Sequence, residues 1–284
     1  MSLAAAPRAA PLREEGRLRS MVDFYATTMR TAVQANFQYR ADTFLYMVGT
    51  IVEPVVYLVV WTTVARAQGG EVAGISAGGF AAYYIVWTLV RQFNLAFTPY
   101  GWEWRIRQGR VSANLLRPIH PIHYDIAEFA GWKFVNVAVW VPVAAVLVVV
   151  FDPALNPGLE DVLSFVPALW GAFLLRSLNL WTLGLISFWT TRTAPIFELY
   201  ILLELLLSGR LVPLQVMPDW AEAIAAVLPF KWTFGFPIEA LVRDLPVAEL
   251  AAGLAIQSAW IVGMCGLMSL VWRRAVRRYS AVGN

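Results

Sequence analysis

The chain has 284 residues, of which 59% are hydrophobic and only 14% charged, whereas an ordinary soluble domain carries about 25% charged residues. The apolar surplus must face something other than water, so the composition is that of a polytopic membrane protein with an all-α fold. A net charge of +3 excludes a nucleic-acid surface, the single Cys265 excludes a disulfide framework and a thiolate zinc cage, and neither lysine, Lys133 or Lys231, follows the Gly-rich run of a P-loop.

Residues 1–17 mix prolines with charges of both signs and lack the continuous apolar core of a secretory leader, so they are expected to be a disordered cytosolic tail. From Leu18 the pattern changes. Leu18, Val22, Tyr25, Met29, Val33 and Phe37 recur every three or four residues, with Arg19, Asp23, Arg30, Gln34 and Gln38 on the other sides. This predicts an amphipathic helix over 18–41 that lies at the membrane surface.

Six stretches then approach or exceed the length needed to cross a hydrocarbon core of about 30 Å: 44–64, 80–100, 134–151, 163–189, 196–212 and 250–272. They define a six-span domain over 42–274, followed by a basic cytosolic tail at 275–284. Most basic residues gather before span one, between spans two and three (Arg105, Arg107, Arg110, Arg117), and after span six (Arg273, Arg274, Arg277, Arg278). The opposite loops hold four, Arg66, Arg210, Lys231 and Arg243. The positive-inside rule then places both termini in the cytoplasm of a multi-pass cell (inner) membrane protein. The acidic loop 152–161 falls outside.

Two segments stand out. Between spans two and three, Glu103, Arg105, Arg107, Arg110 and Arg117 alternate with Trp104, Ile106, Leu115 and Leu116 ahead of Pro118 and Pro121. Short helices with charges and apolar knobs suit a partner's groove; binding of anionic lipid headgroups is the alternative. After span five, the apolar run at 221–230 is too short to cross and is interrupted by Pro229. It is expected to enter the outer leaflet and return, with Pro218 and Pro229 as breaks and Trp220, Phe230, Trp232, Phe234 and Phe236 as an aromatic belt. An external loop is the alternative.

Glu53, Arg91, Arg176, Glu198 and Glu204 fall inside the spans, where each must pair, face a cavity or protonate. Helix rise puts Glu204 near mid-bilayer and Glu198 about one turn in. Glu204 therefore either faces a cavity or pairs with Arg91 or Arg176. Glu53-Pro54 predicts a kink in span one. His120 and His123 lack a third ligand, so no metal site is assigned.

The order of these features resembles the six-span permease subunits of ABC-2-type exporters. The residues that carry the resemblance are the loop from Arg107-x-Gly109 to Leu115-Leu116-Arg117-Pro118, the run Leu206-Leu207-Ser208-Gly209-Arg210 with Met217-Pro218-Asp219-Trp220 and Leu228-Pro229-Phe230, and Phe236-Pro237-Ile238-Glu239. The resemblance implies that two cytosolic ABC ATPase subunits bind ATP and Mg, that a second permease chain completes the membrane unit, and that this chain binds no cofactor itself. Glu103, Arg105, Arg107, Arg110, Leu115, Leu116, Arg117 and Pro118 would then contain the coupling helix, and the helix before span one would be a connecting helix. Glu53, Arg91, Glu198, Glu204, Leu207 and Arg210 would line a path for a hydrophobic or amphipathic substrate beside membrane lipids, with the post-span-five hairpin as outer gate. The rival reading is an intramembrane lipid-modifying enzyme built on Glu198, Glu204 and an arginine.

Overall fold

The computed structural model of the protein describes residues 14–38, 40–190 and 192–279. Apart from one two-stranded hairpin, the described chain is helices and turns. In order these are α1 (Glu14–Gln38), α2 (Arg40–Ala67), the antiparallel strands β1 (Glu71–Val72) and β2 (Ile75–Ser76), α3 (Ala77–Phe93), α4 (Pro99–Arg107), α5 (Val111–Leu115) and α6 (Pro121–Phe151). They continue with α7 (Leu159–Gly184), α8 (Ala194–Leu207), α9 (Asp219–Val227), α10 (Gly235–Val242) and α11 (Val247–Arg278). Among the described residues, three helical stretches are long and apolar enough to cross a membrane: Pro121–Phe151, Leu159–Phe188 and Val247–Arg278.

Local chemistry sets the boundaries. Ser76 caps α3 by accepting from the Gly79 N–H at 3.0 Å, and Asp161 folds back to accept from the Gly158 N–H at 2.7 Å at the start of α7. α6 starts at Pro121, where a missing N–H costs nothing, with His120 at its N-cap. The His120-Pro121-Ile122-His123 run is thus a helix start rather than a surface loop. Burial and the neighbouring His123 hold the His120 imidazole below its usual range, so the ring is neutral near pH 7.

Two expected spans are cut short. The second ends at Phe93 with Asn94 as its C-cap, and five residues separate α3 from α4, the last of them Thr98, held in extended backbone ahead of Pro99. The fifth is the 14-residue α8, about 21 Å long by helix rise. It ends where Gly209 adopts φ +86°, a left-handed conformation that suits glycine. The third is longer than expected, beginning at Pro121, and α2 continues through Pro54.

At one end of the bundle the first turn of α3, just after the β1–β2 hairpin, meets the 152–158 loop, with the Ala154 N–H donating to the Gly78 carbonyl at 3.0 Å. At the other end α4, α5, the start of α6 and the end of α11 come together. α1 packs along α6, and its apolar stripe divides: Tyr25 and Met29 turn to α6, while Leu18, Val22 and Phe37 remain exposed. The helices touch at Gly131, where a Cβ would lie 2.7 Å from the Met29 carbonyl oxygen and 2.9 Å from the Ala32 Cβ. Tyr25 Oη meets His123 Nδ1 at 2.8 Å, and Phe24 sits edge-on to Tyr124. Gly131→Val would force the pair apart, at a cost of about 1–3 kcal/mol for overpacking. A lower unfolding temperature and weaker cross-linking between cysteines placed at positions 25 and 123 are the expected result.

Candidate functional site

A broken helix in a multi-pass membrane protein leaves carbonyls that hydrocarbon cannot satisfy. At the end of α3, side chains from neighbouring helices meet them. Asn136 Nδ2 donates to the Gln92 carbonyl at 3.2 Å, Arg176 Nη1 to Asn94 at 2.7 Å, and the Lys133 ammonium to Leu95. Two cations at a helix C-terminus also oppose its negative dipole end. Lys133 is 1% exposed and its ammonium lies 4.3 Å from the Phe173 ring centroid. Asn94 Nδ2 donates in turn to the Thr233 carbonyl, which ties the break to the turn between α9 and α10.

From this break a line of alternating charges crosses the bundle. Arg176 grips Glu204 with two bonds of 2.8 Å, and Arg210 Nη1 donates at 3.2 Å to Oε2, the oxygen that Arg176 Nη2 also holds. Arg210 also bonds Glu53 at 3.3 Å, and Glu53 pairs with Arg91 at 2.7 Å. Tyr200 Oη adds a donor to Glu204 at 3.2 Å. Glu204 is fully buried, whereas the Glu53 side chain is 34% exposed. The line therefore runs from a sealed end at Arg176–Glu204 to an accessible end at Glu53–Arg91. Phe234 supports it, with the Arg176 and Arg210 guanidiniums 5.6 and 5.2 Å from its ring centroid.

Arg210 gets there because the chain turns back after α8. Tyr83 Oη donates to the Gly209 carbonyl and Tyr84 Oη to the Leu211 carbonyl, both at 2.8 Å, while Trp61 Nε1 reaches Leu211 at 3.1 Å. A Cβ on Gly209 would lie 2.6 Å from Tyr83 Oη. The count of basic residues puts Arg210 in an outer loop, although it also falls in the expected span 196–212 and among the path residues; burial and its two carboxylate partners place it inside the bundle. The same turn leads into α9 and α10, whose aromatics also differ from expectation. Only Trp220 is exposed, while Phe230, Trp232, Phe234 and Phe236 are buried. They pack against helices because α9 and α10 fold back onto the bundle. Gln257 of α11 holds that fold, its Nε2 donating at 2.9 Å to the carbonyls of both Ala168 and Trp232.

At the α4–α5 end the predicted residues divide into two groups. Glu103 and Arg105 face inward: Glu103 pairs with Arg107 and accepts from Thr193 Oγ1 at 2.8 Å, and Arg105 makes two bonds of 2.9 and 2.5 Å to Asp125. Asp125 also accepts from Trp181 Nε1 at 2.9 Å. Trp102 lies 4.9 Å from Trp181 and 5.7 Å from Trp272, ring centre to ring centre. Gly184 leaves room for this cluster, since its Cβ would lie 2.6 Å from Trp102. The other group points outward: Arg107, Arg110, Leu116, Arg117 and Pro118 are exposed, as is Trp104, and Leu115 is half-buried.

Of the predicted path residues, Glu53, Arg91, Glu204 and Arg210 come together, and Arg176 joins them. Glu198 is exposed on α8, and Leu207 is half-buried at its end. Lys133, Asn136 and Gln257 were not singled out; a polar residue inside a long apolar run is the signal that marks all three.

The family model described as "ABC-2 family transporter protein" matches residues 51–283. That is most of the chain, which therefore belongs to this family, whose members are membrane permease subunits of ABC transporters and associate with ABC ATPases. No curated protein matches the chain.

Removing one partner of a buried ion pair leaves an uncompensated charge and costs about 3–5 kcal/mol. Glu204→Ala, which strands Arg176 and Arg210, is expected to lower detergent-solubilised stability by that order, whereas Glu198→Ala stays within about 0.5 kcal/mol. Thermal unfolding of the two variants side by side checks this.

Proposed function

We propose that the chain is the permease of an ATP-driven exporter that moves a hydrophobic or amphipathic substrate outward by alternating access. Six rods, α2, α3, α6, α7, α8 and α11, would cross the inner membrane with both termini in the cytoplasm. α9 and α10 would form a re-entrant hairpin in the outer half. Two cytosolic ABC ATPase subunits would bind ATP and Mg, and a second permease chain, identical or related, would complete the path.

The observation that carries this reading is the division of the α4–α5 segment into inward anchors and an outward face. A partner that pulls on Arg107, Arg110, Leu116 or Arg117 pulls on a segment fastened by Arg105–Asp125 and by the Trp102–Trp181–Trp272 cluster to α6, α7 and α11. Interiors packed in this way transmit displacement rather than absorb it. α1 on α6 would act as the connecting helix. The line from Arg91 to Arg176 lies between α2–α3 and α7–α8, where an alternating path would open. The buried tip of the α9–α10 hairpin against Arg176, Arg210 and Asn94 supports its role as the outer gate.

An intramembrane lipid-modifying enzyme fits this geometry less well. Glu204 accepts from Arg176, Arg210 and Tyr200, which leaves it poorly placed to take a proton, and Glu198 lies apart from it.

The test is purification of the tagged chain in mild detergent together with its P-loop ATPase. Arg110→Glu with Arg117→Glu, both exposed and without a carboxylate partner among the described contacts, should abolish co-purification and ATP-dependent export while leaving the unfolding temperature near that of the parent chain. Arg105→Ala should lower the unfolding temperature as well. Export that persists without an ATPase, or binding that survives the double reversal, would contradict the reading.

A further inference from the structure

The line of charges from Arg176 to Arg91 begins and ends on an arginine. Its three guanidiniums, Arg176, Arg210 and Arg91, meet two carboxylates, Glu204 and Glu53, so one positive charge is left over inside the bundle. Arginine does not shed its proton in a protein, so the surplus cannot be removed by titration. The open end of α3, which Arg176 shares with Lys133, offsets at most about half a charge. The other buried carboxylates are engaged elsewhere: Glu103 with Arg107, Asp125 with Arg105, Asp161 at the start of α7, and Glu239 between Lys231 at 3.6 Å and Arg243 at 4.0 Å. A charge kept at membrane depth marks a place where a ligand or ion meets it.

Trp87 shows where. It is fully buried, and its ring centroid lies 5.5 Å from the Arg91 guanidinium and 6.0 Å from that of Arg210. Among the described residues its indole N–H has no acceptor, and neither has Arg210 Nε. Buried donors without acceptors are rare in folded proteins, and two of them beside surplus positive charge point to an anion. Entry is from the Glu53–Arg91 end, where the side chains are 34% and 21% exposed, against 12% for Arg176 and 9% for Arg210. On α2, Val56 and Val60 stand about 60° and 20° round the helix from Glu53 at about 100° per residue, and both are exposed. They form an apolar strip that leads away from the charged site.

We infer that Arg91 and Arg210, with Trp87 against them, bind the phosphate or carboxylate head of an anionic amphiphile whose tail follows Val56 and Val60. This rests on the permease reading above and narrows its substrate class. Guanidiniums present paired donors that suit an oxyanion, and the apolar strip separates an amphiphile from a free anion. Glu53 sets the strength of binding. It holds Arg91 at 2.7 Å and Arg210 at 3.3 Å, so it competes with the head for both.

The experiment titrates dodecyl phosphate into the purified full chain in phosphatidylcholine nanodiscs, with empty nanodiscs giving the background of membrane partition. Binding should saturate; Arg91→Gln, which removes charge-assisted hydrogen bonds, should weaken it about tenfold or more, and Glu53→Gln, which removes the competitor, should tighten it several-fold. Arg66→Gln, an exposed charge at the far end of α2, should change it less than about twofold. Thermal unfolding accompanies each variant. If Arg91→Gln does not fold, the direction of the Glu53→Gln effect decides, because a purely structural ion pair predicts no tightening. Unchanged binding in folded Arg91→Gln, weaker or unchanged binding in Glu53→Gln, or dodecyltrimethylammonium binding as tightly as dodecyl phosphate would overturn the inference. Inorganic phosphate binding as tightly would overturn the amphiphile and leave a free anion as the ligand. If dodecyl phosphate binds as expected but no ATPase co-purifies with the chain, the permease reading falls and the site stands.

Discussion

Glu204 has no access to solvent, so its charge must be met within the protein, and Arg176 and Arg210 meet it together. Much of the bundle's geometry serves that requirement. Arg210 arrives only because α8 ends early at Gly209 and the chain turns back under Tyr83, Tyr84 and Trp61. Arg176 is shared with the open end of α3, so the same guanidinium that neutralises a carboxylate also satisfies a broken backbone. Charge and backbone thus solve each other's problem, in surroundings where neither tolerates an empty partner.

The two irregular regions of the bundle are joined by this arrangement. The α3–α4 break and the α8–α9 turn both converge on Arg176, Arg210 and Asn94, and the tip of the α9–α10 hairpin closes over them through Thr233 and Phe234. Non-helical backbone costs stability unless its polar groups are paired, so its placement here marks where helices change direction without losing hydrogen bonds. The α4–α5 end is built by different means, from stacked indoles and one two-bonded Arg–Asp pair. It forms a stiff unit with α7 and α11, whereas α2 packs chiefly on α3 and meets the α8 turn through Glu53–Arg210 and Trp61–Leu211.

The sequence made the membrane class, the helical content and the family legible, because long apolar runs and the order of short motifs survive without any knowledge of packing. The polar segment at 101–128 was legible as a whole, but its division was not: Arg105 and Arg107 look alike in sequence, and only the position of Asp125 decides which one turns inward. Helix ends proved harder. Leu207 and Val212 are equally apolar, so hydropathy carries span five past Gly209, and the backbone conformation there stops it. The aromatics after Trp220 resemble an interfacial belt in composition, yet Gln257, one polar residue in an apolar helix, draws that segment inside. From sequence Glu204 reads as a path residue or as the partner of Arg91 or Arg176; it pairs with Arg176 and also with Arg210, a path residue that the count of basic residues puts in an outer loop.

On the proposed permease reading, an ATPase moves the α4–α5 segment as one body with α7 and α11, relative to α2. Spin labels in a Cys265→Ala background at Ala113 and Leu267, and separately at Ala113 and Val56, measured in the reconstituted complex with and without ATP, test it most directly. The distance from α5 to α11 is expected to stay constant while the distance from α5 to α2 changes on nucleotide binding. A nucleotide-dependent change between Ala113 and Leu267, or no change in either pair, would contradict it.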